Sequence, residues 1–245
     1  MFNPDVDIPD LPGRVILVTD GEEPCLSLAK HNPKRIFIAA RNAKSTESCD
    51  LGSLASVNKA AKQTVSSTDR LDLLFCNAGI LGAPPGSDAY EVHFGVNHLG
   101  HGLLIKHHLS TLLNTATYQT DVRVVIASSD EYRFHASEGI ILRDLRTTQL
   151  NLSIFSSLGG KDSWRRYARS KLANLLYTVE LALRFPAIKF FAVLPGVCDT
   201  PMTPGWIKAT AISRKPLAPG GLKTPKEGSL SQLWPGTAKE VASGD

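Results

Sequence analysis

The residues best placed to do chemistry lie in one run, Trp164-Arg165-Arg166-Tyr167-Ala168-Arg169-Ser170-Lys171-Leu172-Ala173-Asn174. Apolar side chains recur at Leu172, Leu175, Leu176, Val179 and Leu183, which is helical spacing. On a helix, Tyr167 and Lys171 stand four apart and share a face. A phenol is a weak acid, with a reference pKa of about 10. A neighbouring ammonium favours the phenolate and is expected to lower that value. Such a pair can pass a proton to or from a carbonyl/alcohol oxygen near neutral pH. Tyr-x-x-x-Lys is weak on its own, because any amphipathic helix can carry it. Its weight comes from what the rest of the chain brings to the same place.

The elements that must position this pair read as an alternation. Arg14 to Thr19 is a run rich in β-branched residues around the apolar Val15-Ile16-Leu17-Val18, as in a buried parallel strand. After the turn Asp20-Gly21-Glu22-Glu23-Pro24-Cys25, a short helical piece from Leu26 to His31 leads to a second strand, Arg35 to Ala40. The segment from Asn42 to Cys49 is too short for a full helix and another strand. Ser53 to Ser66 reads as a helix with Ser53 as its N-cap. Strands follow at Leu71–Cys76, Val122–Ala127 and Ile188–Leu194. Helices are expected from Tyr90 to about Leu113, from the Tyr167 run to Phe185, and near Pro225 to Leu233. The stretch Asp130 to Asp162 is mixed and loop-rich, a candidate substrate-side insertion, and Pro201 to Leu222 is a second candidate pocket segment. The expectation is an α/β fold, a doubly wound Rossmann-like parallel sheet, in one domain spanning 1–245.

Composition fits that class. The chain has 245 residues, 42% hydrophobic and 20% charged, enough to bury a sizeable core. Its net charge of +4 is spread out, so nucleic-acid binding is not expected. Cys25, Cys49, Cys76 and Cys198 lie far apart with no Cys-x-x-Cys, which suits free thiols in a reducing compartment. The amino-terminal residues lack the pattern of a signal peptide, and no apolar run is long enough for a membrane span. A soluble cytoplasmic protein is expected. Among His93, His98, His101, His107 and His108, only His98/His101 and His101/His108 share a helix face, and no carboxylate joins them; no metal is expected. Arg165, Arg166 and Arg169 are expected to be a solvated flank.

Each strand ends in a polar or glycine-bearing signature: Thr19, Arg41, Asn77-Ala78-Gly79, Ser128-Ser129 and Pro195-Gly196. The carboxyl ends of parallel strands face one way, so these signatures should converge with Tyr167 and Lys171.

With those motifs in place, the sequence resembles the short-chain dehydrogenase/reductase family, in particular the retinol-dehydrogenase-like members of filamentous fungi. The motifs that carry the resemblance are Asn77-Ala78-Gly79, Asn97-His98-Leu99-Gly100-His101, Ser128-Ser129, Tyr167-x-x-x-Lys171 with Ser170, and Pro195-Gly196 with Thr200. The resemblance implies NADP-dependent hydride transfer between the nicotinamide and a small-molecule carbonyl/alcohol substrate, with secondary metabolism as an analogous setting. It implies Tyr167 as general acid/base and Lys171 as the residue that tunes it and holds the nicotinamide ribose. Ser129, rather than Ser128, would bond the substrate oxygen, and Asn97 would hold a relay water. Asn77 would sit near the adenine ribose and Asp50 near the adenine, with Cys198 and Thr200 on the nicotinamide side. Arg41 is where NADP-preferring members place a positive charge, which can pair with a 2′-phosphate. Homo-oligomers through the helices flanking the fourth and fifth strands are common in the family.

Departures from the family are equally legible. The family's first turn is Thr-Gly-x-x-x-Gly-x-Gly, whose glycines let a pyrophosphate approach a helix N-terminus. Here Thr19 and Gly21 remain to hold the cofactor, Asp20 takes the first glycine's place, and Glu22 and Glu23 follow. Each like-charge contact with a pyrophosphate there would cost on the order of 1 kcal/mol. The missing material after Arg41, and a further strand the family has beyond the Ser243-Gly244-Asp245 region, correspond to the two edges of the family's seven-stranded sheet. Reduced edges are therefore expected. A rival follows from the eroded turn: a family member that binds a ligand or partner without hydride chemistry.

Overall fold

The computed structural model describes residues 2–41, 48–81, 90–119, 121–135, 137–147, 162–203, 205, 208–209, 221–239 and 241. The candidate pocket segments of the sequence lie partly outside these residues, as do 42–47 beyond Arg41. Five strands form one sheet: β1 (Val15–Thr19), β2 (Arg35–Ala39), β3 (Leu73–Cys76), β4 (Arg123–Ala127) and β5 (Lys189–Val193). All pair in parallel in the order β2-β1-β3-β4-β5. This is the doubly wound parallel sheet expected from the alternation, with five strands among the described residues.

Burial follows strand position. β1, β3 and β4 are buried throughout, as their unbroken apolar runs require. β2 and β5 are the edges and are partly exposed. Alternate strand residues point to opposite faces and build two cores. Val15, Leu17, Leu74, Val124, Ile126 and Phe190 meet α3 (Leu54–Ser67) and α5 (His101–Tyr118) on one side. Ile16, Val18, Leu73, Phe75, Val125 and Phe191 meet α1 (Pro4–Asp7), α2 (Glu22–Ala29) and α7 (Pro225–Thr237) on the other.

Helix ends fall where side chains can satisfy orphan amides. Ser53 caps α3 by accepting from the Ser56 amide. Thr224 and Glu227 form a capping box on α7, with Pro225 in its first turn. The helix expected from Tyr90 is continuous but not uniform. α4 (Val92–Phe94) passes into a π turn at Gly95–Gly100 and then into α5. Gly100 is required there, since a Cβ would come 2.5 Å from the Leu51 carbonyl oxygen. α2 begins earlier than the apolar spacing suggested, at Glu22, because Gly21 adopts a left-handed conformation and starts the helix at once.

α6 (Asp162–Arg184) carries the Tyr167 run across β4 and β5. The solvated arginine flank is corrected here. Arg166 and Arg169 are buried, because α6 packs on α4 and the π turn. Arg166 lies 3.2 Å from buried Glu91. Among the described residues, no helix is long and apolar enough to cross a membrane.

Candidate active site

A cleft of about 850 Å³ runs along the carboxyl ends of the strands. At one end it is lined by Asp20, Gly21, Glu22, Glu23 and Arg41; at the other by Ser129, Glu131, Trp164, Tyr167 and Lys171. Asn77, Ala78 and Gly79 join the two, and Cys198 and Thr200 line the inner wall. The strand-end signatures thus converge as parallel pairing requires.

Tyr167 and Lys171 share a face of α6. The Lys171 Nζ stands 5.5 Å from the centre of the Tyr167 ring and donates to the Ala127 carbonyl at 3.0 Å. The expected lowering of the phenol is corrected. Burial pushes Tyr167 well above the ordinary phenol value, the Glu131 carboxylate adds to the rise, and the Ser129 hydroxyl bond opposes it. Burial lowers Lys171 to about 8, with Glu131 opposing. The ammonium does not dominate because desolvation of two buried groups outweighs their mutual effect. The phenol therefore holds its proton at neutral pH, as a proton donor must.

Ser129 is hydrogen-bonded to Tyr167, which puts two hydroxyls on one point of the cleft. Ser128 also borders the cleft, but its hydroxyl donates to the Lys171 carbonyl at 2.8 Å and ties β4 to α6. Asn97 is fully buried in the π turn. Its Oδ1 accepts from the Ile80 amide at 2.8 Å, and its Nδ2 donates to the Ile80 carbonyl at 3.1 Å and to Ser170 Oγ at 3.0 Å. Its own carbonyl accepts from Asn174 Nδ2 at 3.0 Å and lies 3.1 Å from His101 Nδ1. Asn97 thus holds the loop after Gly79 against α6 and does not line the cleft. Gly79 is close-set as well, since a Cβ there would stand 3.3 Å from Asn97 Oδ1 and 3.6 Å from Lys171 Nζ.

Thr19 lies below the cleft floor. Its hydroxyl accepts from the Asn77 and Ala78 amides at 2.9 and 3.2 Å, so it shapes the Asn77-Ala78-Gly79 turn. Asp50 does not line the cleft; its Oδ1 accepts from the Gly52 amide at 2.9 Å in the turn before α3. Arg41 reaches the same end of the cleft as Gly21. Cys198 is tightly packed, since a Cβ on Gly228 would meet its sulfur at 2.2 Å. All four cysteines are free thiols.

Three participants were not singled out from sequence. Glu131 sits two residues beyond Ser129, on the 3₁₀ turn Asp130–Phe134 that α6 packs against. Its place just past a strand's carboxyl end is the signal that could have found it. Trp164 packs tilted on Tyr167, with ring centres 6.3 Å apart. Gln232 of α7 donates to Asn77 Oδ1 at 2.6 Å, a pairing across 155 residues that no local pattern reveals.

A nicotinamide dinucleotide fits this cleft unevenly. At the inner end, Tyr167, Lys171 and the close-set Gly79 leave room for a ribose and ring beside Cys198 and Thr200. At the outer end, Asp20 holds the left-handed conformation a glycine would suit, at φ 53°. The α2 N-terminus offers the Glu22 and Glu23 amides, while Pro24 has none to give. Arg41 supplies the positive charge there.

A parallel Rossmann-like sheet with a Tyr–Lys pair and a serine at its carboxyl edge defines a class of nucleotide-fold oxidoreductases. Comparison with known proteins narrows that class. No protein-family model matches the chain. A short-chain dehydrogenase/reductase of Phomopsis amygdali is 29% identical over 96% of the chain and 77% of its own length. An uncharacterized oxidoreductase of Schizosaccharomyces pombe is 30% identical over 96% and 76%. Retinol dehydrogenase 12 of Mus musculus is 32% identical over 79% and 64%. Among solved structures, the Pseudomonas aeruginosa RhlG/NADP complex superposes with a TM-score of 0.67 at 21% identity, over 93% of the chain and 91% of its own. The chain belongs to the short-chain dehydrogenase/reductase family, and its relatives include retinol dehydrogenases.

Proposed function

We propose that this oxidoreductase is NADP-dependent and interconverts a carbonyl and an alcohol on a small molecule. The observation that carries the reading is the meeting of Tyr167, Ser129 and Lys171 at one end of a cleft whose other end holds Arg41. When bound, the nicotinamide supplies or accepts the hydride at the substrate carbon. The chain's own residues handle the rest. Ser129 donates to the substrate oxygen and fixes it beside the phenol. Tyr167 gives its proton to that oxygen in reduction and recovers it in oxidation. Lys171, a cation at neutral pH, stabilises the phenolate left behind and would also hold the nicotinamide ribose. Asn97 ties the Ile80 backbone to Ser170 and so joins the loop after Gly79 to α6. Arg41, at the outer end of the cleft, would hold the ribose 2′-phosphate, which supports NADP over NAD. Exposed Leu176, Val179 and Leu183 on α6 support a homo-oligomer through that helix.

The test is turnover. NADPH-dependent reduction of a carbonyl panel should fall by roughly 10²–10⁴ in Tyr167→Phe; equal rates in the variant contradict the assignment.

A second reading has its own observation. Asp20, Glu22 and Glu23 border the phosphate end of the cleft. A protein that keeps the cleft but binds no dinucleotide would show no NADPH binding while remaining folded.

A further inference from the structure

The inner end of the cleft holds a carboxylate that proton transfer does not use. Among the described lining residues, the charged groups are Asp20, Glu22, Glu23 and Arg41 at the outer end, and Glu131 and Lys171 at the inner end. Lys171 is buried and its ammonium is turned to the Ala127 carbonyl. Glu131 is half-buried, and its carboxylate bonds its own backbone amide. It forms no ion pair among the described residues, although eleven lysine or arginine pairs with carboxylates are formed elsewhere.

A carboxylate half withdrawn from water, attracted by Lys171 but forming no ion pair among the described residues, favours a cation beside it. The neighbouring wall is aromatic. Trp164 borders the same end of the cleft and stacks tilted on Tyr167, and an indole face attracts a cationic nitrogen. A carboxylate with an aromatic wall is recognition chemistry for an ammonium, and it lies at the end of the cleft where the carbonyl oxygen would meet Tyr167.

We propose that Glu131 and Trp164 form a cation subsite, and that the substrate class is a carbonyl compound or alcohol bearing a positively charged nitrogen a few bonds from the reacting carbon. This deepens the reading of the cleft as a carbonyl/alcohol site and rests on it. The subsite also couples to the chemistry. Glu131 raises Tyr167 and is itself raised by burial, with Lys171 opposing, so its carboxylate works against phenolate formation. A substrate cation docked against it cancels that charge and eases proton release to the carbonyl oxygen. A neutral substrate lacks this effect.

The test pairs two isosteric ketones, acetonyltrimethylammonium and methyl neopentyl ketone, which differ only in the charged nitrogen. Binding of each to the full chain is measured by calorimetry, and NADPH-dependent reduction of each is followed separately. The charged ketone should bind about tenfold tighter, and Glu131→Gln should bring the two affinities within about twofold. An unchanged melting temperature for that near-isosteric variant excludes a lost fold as the cause. Equal binding of the two ketones, binding of neither, or a preference that survives Glu131→Gln overturns the cation subsite. Charge-selective binding that depends on Glu131 without any turnover upholds the subsite and removes the proposed oxidoreductase activity instead. Turnover with preference for the neutral ketone leaves the activity standing and overturns the subsite.

Discussion

The His101 imidazole and the Thr19 hydroxyl meet 2.9 Å apart beneath the cleft floor, joining the helix after the π turn to the end of β1. His101 Nδ1 lies 3.1 Å from the Asn97 carbonyl, so that nitrogen carries the proton and Nε2 accepts. Thr19 therefore donates to His101, and its lone pairs receive the Asn77 and Ala78 amides. One hydroxyl thus fixes the turn that separates the two ends of the cleft.

This arrangement requires a neutral imidazole, and burial lowers His101 to about 4. Between that value and the unfolded value near 6.5, the unfolded chain binds the extra proton. Stability is therefore full above about pH 6.5 and falls as pH drops toward 4, by up to about 3 kcal/mol from this residue. His98 and His108 are also lowered by burial and act in the same direction. Thermal unfolding at pH 7 and pH 5 should show the loss, and His101→Asn should flatten the difference while lowering the midpoint at pH 7. A profile equally steep in the variant contradicts the assignment.

The raised phenol of Tyr167 sets the direction of the pH–rate profile. A proton held tightly serves reduction, which should be insensitive to pH across neutrality. Oxidation of the alcohol needs the phenolate, so its rate should climb as pH rises from neutrality toward about 8, where Lys171 begins to lose the charge that stabilises the phenolate. Initial rates in both directions between pH 6 and 10 check this. An oxidation optimum on the acid side of neutrality would contradict it.

Asp20 combines two handicaps that one substitution removes. It occupies a left-handed backbone conformation and places a carboxylate at the outer end of the cleft, where the proposed cofactor's phosphates would lie. Asp20→Gly should raise the melting temperature by roughly 2–4 °C, from about 1 kcal/mol of relieved strain. It should also tighten NADPH by about tenfold. Calorimetric titration beside a melting curve separates the two effects, and weaker NADPH binding in a more stable variant contradicts the electrostatic half.

In the proposed reading, the cofactor preference rests on Arg41. Arg41→Ala should weaken NADPH by roughly tenfold to a hundredfold and change NADH by no more than about threefold. Parallel titrations with both cofactors check it; equal losses for both would make Arg41 a general anion contact.

The sequence was most legible where a pattern is local. Unbroken apolar runs announced β1, β3 and β4, because strands covered on both faces have no polar side. Tyr167 and Lys171 were legible from helical spacing. What stayed hidden depends on contacts distant in sequence. Arg166 looks solvated until α4 brings Glu91 against it across the domain. Asn97 looks like a site residue until the π turn directs its amide to Ile80 and Ser170. The pull of Glu131 on Tyr167 exists only once the turn after Ser129 folds beneath α6. Spacing alone predicted a lowered phenol, since the helix reports the ammonium and is silent on burial.

The measurement that bears most directly on the account is NADPH titration of the purified, folded chain, with NADH alongside. The account predicts saturable NADPH binding in the micromolar range and weaker NADH binding, carried by Arg41, Asn77, Tyr167 and Lys171 despite the acidic turn. No binding of either cofactor at millimolar concentration would contradict it and leave the Tyr167–Lys171 pair without a hydride to serve.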